Sequence, residues 1–152
     1  MENEGVMKKK LIGLSEEELI QLVEAYSQKM DNIMNEDDDE IQCEKVYAKY
    51  IEVYEQLLAM NFDKYAEKIM QEYYNFAEFY FNFTEHGKKG INALKKRLEI
   101  CKKLAETRPD YVGELEISYN ELGDQYDGLG YIKKANEMYS LAEEMETKRK
   151  NI

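Results

Sequence analysis

The most restrictive feature of the sequence is a spacing near its C-terminus. Tyr119, Leu122, Gly123 and Tyr126 stand at i, i+3, i+4 and i+7, and so share one face of a helix. Gly128-Leu129-Gly130 interrupts that helix, because glycine takes the left-handed conformation that ends helices. Ala135, Tyr139 and Ala142 then mark a second face at i, i+4 and i+7. The expected product is two antiparallel helices joined by a tight turn. Gly123 is expected to face Ala135 and Ala142, so that small residues let the two backbones approach closely. One such hairpin cannot bury both of its faces, which makes stacking on further hairpins the natural continuation.

The first-helix string returns twice upstream. Tyr73, Phe76, Ala77 and Tyr80 repeat it, and Leu19, Leu22, Val23 and Tyr26 repeat it again. Each copy reads large apolar, small or β-branched, acidic, any residue, then tyrosine. Three copies predict three helical hairpins, at about 15–60, 62–107 and 110–149, in a single domain over 14–152 behind a flexible tail over 1–13.

This spacing resembles the tetratricopeptide repeat, whose pattern sets large, leucine, small, tyrosine and glycine before small, aromatic and small. Tyr119, Leu122, Gly123, Tyr126, Gly130, Ala135, Tyr139 and Ala142 agree with it in type, and the match covers Glu116 to Arg149. The resemblance implies an all-α fold of antiparallel helical hairpins stacked as a short right-handed solenoid, about six helices in all. It also implies a non-enzymatic protein–protein interaction module. Arg97 departs from the pattern: it falls where a small residue belongs if Gly90 fills the earlier small position.

In that family the first helix of each hairpin lines a concave groove. The corresponding positions carry Glu17, Ile20, Glu24, Ser27 and Gln28 in the first hairpin. They carry Gln71, Tyr74, Glu78, Phe81 and Asn82 in the second, and Ile117, Asn120, Asp124, Asp127 and Gly128 in the third. Glu24, Glu78 and Asp124 occupy one recurring position, so stacked helices would set them in an acidic ladder, with Tyr74 and Phe81 as aromatic anchors beside it. Such a groove suits a basic or amphipathic peptide: charge selects the partner and the rings provide contact area. It lacks the lysines with which some family members clamp a partner's terminal carboxylate.

Local signals place the helix ends. Ser15 and Glu18 form a capping box, and Leu14 and Leu19 are spaced for a hydrophobic staple. Asp63 and Asp110 are candidate caps for the third and fifth helices, with Asn61 in a left-handed turn before the third. The third helix carries a core stripe of Phe62, Tyr65, Ile69, Tyr73, Phe76, Tyr80 and Phe83, with Tyr74, Phe79 and Phe81 off it. The fourth turns Ile91, Leu94, Leu98 and Cys101 inward and Lys95, Lys96, Arg97, Lys102 and Lys103 outward.

Chemistry is sparse. The net charge of −11 weighs against nucleic acid as a partner. Asn35 to Glu40 is acidic but lacks the alternation, central glycine and distal glutamate of a calcium loop, and reads as a solvated connection. His86 is the only histidine, and no serine or cysteine forms a recognisable triad with it. Cys43 and Cys101 form no Cys-x-x-Cys, which fits a reducing cytoplasm and packing rather than reactivity. No run is apolar enough for a signal peptide or membrane span. The expectation is no catalytic residue, cofactor or metal and no membrane partner, with a structural homo-oligomer as the alternative to the peptide groove. A metal-dependent enzyme built on the acidic stretch is a third, weaker alternative.

Overall fold

The computed structural model describes residues 11–36, 40–83 and 85–152, and these contain six long helices and no strand. They are α1 (Glu16–Glu36), α2 (Glu40–Met60), α3 (Phe62–Phe83), α4 (Gly87–Thr107), α5 (Tyr111–Gly128) and α6 (Ile132–Lys150). Most of the N-terminal stretch and the centre of the acidic stretch lie outside the described residues, as do Thr84 and the side chain of Phe83. Among the described residues no helix is long and apolar enough to cross a membrane. The chain forms two compact units, divided within α3 between Ile69 and Met70.

In the N-terminal unit the capping box closes in both directions. The Glu18 amide donates to Ser15 Oγ and the Ser15 amide to Glu18 Oε1, each at 3.2 Å. Leu19 just beyond it is fully buried, and α1 packs on α2. Leu11, expected in the tail, is instead helical and 6% exposed. Asn61, not Asp63, caps α3: its Oδ1 accepts the Lys64 amide at 3.2 Å. No non-glycine residue among those described has a positive φ, so Asn61 serves through its side chain rather than a left-handed backbone. Glu16 joins the starts of α1 and α3, accepting from Lys64 Nζ at 2.5 Å and from the Tyr65 hydroxyl. These two donors hold the Glu16 carboxyl below the ordinary glutamate range.

The C-terminal unit is built from the end of α3 and from α4, α5 and α6. Neighbouring helices run antiparallel. Lys89 lies by Tyr80 and Lys96 by Tyr73 between α3 and α4, while Gly123 lies by Tyr139 and Glu116 by Arg149 between α5 and α6. Ile91, Leu94, Leu98 and Cys101 are buried as their spacing requires, together with Tyr119, Leu122 and Tyr126. Phe79, expected off the core stripe of α3, is 6% exposed and belongs to the core. Its ring stacks near Phe76 and Tyr80, at centroid separations of 6.5 and 5.6 Å, which extends the stripe into a wider apolar face.

Two contacts set how closely these helices approach. A Cβ built on Gly123 would lie 2.5 Å from Tyr139 Cε1, and one on Gly90 would lie 2.5 Å from Phe81 Cε1. The atoms nearest to Gly123 thus belong to the Tyr139 ring. A glycine admits a flat ring where two small residues would leave a void. The turn that follows is a complete Schellman motif. Gly130, at φ +84°, donates its amide to Asp127, and the Tyr131 amide donates to the Tyr126 carbonyl at 2.9 Å. Tyr126 and Tyr131 provide the accompanying apolar contact, edge to face with centroids 6.3 Å apart. Asp110, by contrast, makes no side-chain cap to α5 and is itself helical in backbone.

Gly123→Ala improves helix propensity yet drives a methyl into the Tyr139 ring. Thermal melts are expected to show a net loss of about 1–3 kcal/mol from overpacking. Gly113→Ala meets only Arg149 Cδ at 3.5 Å, an ordinary contact, and is expected to gain about 0.5–1 kcal/mol. A loss in both, or in neither, would remove the ring-on-glycine account.

Glu16 supplies a second test. Its folded pKa is depressed, so the stability it contributes is present above the unfolded value of about 4.3 and fades as pH falls through the folded value. Glu16→Gln is therefore expected to lower the melting temperature at neutral pH and to flatten its decline under acid. An unchanged acid limb would show the contact to be inert.

Candidate functional site

Tyr74, Glu78 and Asn82 recur every four residues along α3 and so share one of its faces. Glu114 and Glu121, seven apart on α5, share another, and Arg97 of α4 stands between them. The Arg97 side chain is only 12% exposed. Its guanidinium lies over the Tyr74 ring, 5.2 Å from the centroid, and donates through Nη1 to Glu121 Oε2. Nη2 is 3.9 Å from Glu114 Oε2. Asn82 Nδ2 donates to Glu78 Oε2 at 3.3 Å, orienting that carboxylate.

The electrostatics show an excess of negative charge. Burial raises the Glu121 carboxyl above its ordinary value, and the nearby charges of Glu78 and Glu114 push the same way, while the Arg97 ion pair opposes them without prevailing. The Tyr74 phenol is also raised, first by the Glu78 charge and then by burial and Glu121. Arg97 Nε is buried with no acceptor among the described residues, so its pairing is incomplete. One largely buried cation thus serves two carboxylates, with the charge of Glu78 adding to theirs.

Of the residues expected to line a groove, Tyr74, Glu78 and Asn82 belong to this cluster. Phe81 does not stand free, since its half-buried ring covers Gly90. Asp124 accepts from the Tyr139 hydroxyl at 2.7 Å, and this bond pushes the Tyr139 phenol up to about 12. Asn120 and Asp127 are exposed on α5 beside Asp124, and Glu24 is exposed on α1 in the N-terminal unit.

Arg97, Glu114 and Glu121 were not among the expected site residues. The signal that could have found them was present: an arginine where the repeat pattern wants a small residue needs buried counter-charge, and α5 offers two carboxylates seven residues apart.

Nothing in this arrangement builds a nucleophile. Cys101 is fully buried, with its thiol pushed up to about 11 by burial, and the Cys43 thiol is raised for the same reason. Both are free thiols whose reactive thiolate is disfavoured. Among the described residues no three His, Cys, Asp or Glu side chains are grouped so as to hold a metal ion. The cluster can bind and orient a cation through carboxylates and an aromatic face. No protein-family model, curated protein or solved structure matches the chain.

Removing Arg97 tests which effect rules the cluster. Arg97→Met leaves Glu121 part-buried without its partner, at an expected cost of about 1–3 kcal/mol in urea unfolding, below the fully buried case because Glu121 retains some solvent. A raised carboxyl gives stability that is complete below the unfolded pKa and is lost as pH rises through the folded one. The deficit should therefore be larger at a pH of about 8 than at about 5. Adding Glu121→Gln should restore most of it, and a deficit that is independent of pH and unrelieved by Glu121→Gln would assign Arg97 a packing role alone.

Proposed function

We propose that the protein is a non-enzymatic helical scaffold of the tetratricopeptide-like kind, which binds a basic or amphipathic segment of a partner protein along its acidic and aromatic face. The observation that carries this reading is the imbalance at Arg97. Glu114 and Glu121 share a single cation, the charge of Glu78 also bears on Glu121, and the Glu121 carboxyl remains raised in spite of the ion pair. An arriving lysine or arginine would relieve that repulsion, while Tyr74 offers apolar area next to it. Exposed Asn120, Asp124 and Asp127 extend the polar and acidic surface along α5.

The stacked-hairpin reading draws support from the antiparallel helices and the glycine-on-ring contacts. Both meet the need of a repeat scaffold for close, regular helix spacing. The scaffold reading also accounts for Arg97 without invoking catalysis: a fixed internal cation keeps several carboxylates close enough to act together.

Titration with a labelled lysine–leucine amphipathic peptide tests the proposal. Wild type is expected to bind with an affinity that falls as salt rises. Glu78→Lys combined with Asp124→Lys is expected to weaken it by about ten-fold or more, at unchanged helicity. Equal binding by both proteins would reject this face as the interaction surface.

A further inference from the structure

A second surface lies away from the acidic cluster and carries the opposite sign. Gly87, at the start of α4, is covered by Leu129 of the α5–α6 turn, whose Cδ2 would lie 3.4 Å from a Cβ at that position. Leu129, Tyr131 and Ile132 are nevertheless 45%, 39% and 52% exposed, the densest run of large exposed apolar residues in the described chain. Lysines surround them. Lys88 Nζ lies 5.9 Å from the Tyr131 centroid and Lys134 Nζ 5.6 Å from it, with exposed Lys89 and Lys133 next to these in the two first turns. The Schellman motif fixes the turn that presents the apolar side chains.

We propose that this corner is a docking surface for an acidic segment of another protein, one that carries leucine or isoleucine among its glutamates and aspartates. The apolar residues would cover Leu129, Tyr131 and Ile132, and the carboxylates would meet Lys88, Lys133 and Lys134. The charge pattern argues for that occupant. The first turns of α4 and α6 contain no acidic residue and two lysines each, and neither helix has a side-chain N-cap. Cations at a helix N-terminus oppose its dipole, so the corner holds unfavourable positive charge that an acidic ligand relieves. Glu85, Asp127 and Glu137 border the surface and limit its basic extent to a short ligand segment. A nucleic acid or an anionic bilayer extends far beyond the corner and meets the repulsion of a chain at −11. Aliphatic Leu129 and Ile132 also offer little to a phosphate backbone, whereas they suit an amphipathic peptide.

This inference is independent of the acidic face, and the test keeps the two apart. The probe is a fluorescein-labelled peptide of glutamates interspersed with leucines. Its controls are the same peptide with serine for leucine, single-stranded oligo-dT and phosphatidylserine vesicles. Wild type is expected to bind the leucine peptide, and the serine peptide about five-fold or more weakly. Lys133→Glu with Lys134→Glu should weaken binding about ten-fold or more while raising the melting temperature, because acids suit the start of α6. Ile132→Ser, at a side chain that is half exposed, should weaken it about five-fold. Glu78→Lys should leave it unchanged. Equal affinity for both peptides, equal affinity in the lysine variant, no binding by wild type, or tighter binding to oligo-dT or vesicles would each overturn the proposal.

Discussion

An aromatic ring seated on a glycine of the facing helix fixes the spacing within the C-terminal unit. Tyr139 rests on Gly123, and Phe81 rests on Gly90. A methyl at either glycine would need the ring to withdraw, and a core packed to near-crystalline density offers little room. Other features follow from this spacing. With its ring fixed on Gly123, Tyr139 brings its hydroxyl within 2.7 Å of Asp124. With Phe81 laid over Gly90, α4 runs alongside α3 closely enough for Lys89, Lys96 and Arg97 to lie over Tyr80, Tyr73 and Tyr74 in turn. Arg97 thereby becomes a near-buried cation with one ring and two α5 carboxylates for neighbours.

Burial outweighs attraction at that point. The Arg97–Glu121 pair is close, yet the Glu121 carboxyl remains raised, because the removal of water from a part-buried carboxylate exceeds what one guanidinium returns. The exposed Glu16 pair behaves in the opposite way, its carboxyl lowered by Lys64 and Tyr65 because little solvent is lost there. The same chemistry thus yields opposite shifts according to burial. Charge is also divided unevenly along the chain. Residues 1–69 carry 17 acidic against 8 basic side chains, while 70–152 carry 15 against 13. In the C-terminal unit, local placement therefore decides the sign of a surface more than composition does.

The helix positions and most of the buried faces were legible in the sequence because they depend on local rules. The Ser15–Glu18 box and the Gly130 turn require only residues close in the chain, and the Ile91, Leu94, Leu98, Cys101 stripe requires only the helical period. Failures came where a residue's role depends on a distant partner. Periodicity sets Gly123 opposite the second helix, but only the facing helix reveals that the Tyr139 ring lies nearest to it. Asp63 and Asn61 are both acceptable caps, and the geometry of the turn, invisible in one dimension, selects Asn61. Phe79 lies off the stripe on a helical wheel, yet it is buried because the apolar face of α3 is wider than one stripe. The candidate site was partly legible through Tyr74, Glu78 and Asn82. Its centre was not, since an arginine in a lysine-rich run reads as solvated until Glu114 and Glu121 are brought to it.

Tyrosine and acid act together at several contacts of this chain. A tyrosine buries nearly the apolar area of a phenylalanine and keeps one donor at its tip. A surface rich in carboxylates has acceptors in excess and few donors to meet them. Tyr65 donates to Glu16, and Tyr139 donates to Asp124. A hydrogen bond between Tyr74 and Glu78 acts in the same way, and it helps to raise the Tyr74 phenol. In each case the ring belongs to a helix–helix contact and the hydroxyl holds a carboxylate at its edge. Phenylalanine would preserve the packing but release the acid, and tryptophan, which is absent from the chain, would place its donor at a different reach. The lysines and arginines that lie over tyrosine faces complete the arrangement, because a ring with its edge buried still presents a negative face to a cation. Carboxylates, tyrosine hydroxyls and cations laid over rings thus meet at the same contacts: Glu16, Tyr65 and Lys64 at one, Glu78, Tyr74 and Arg97 at another.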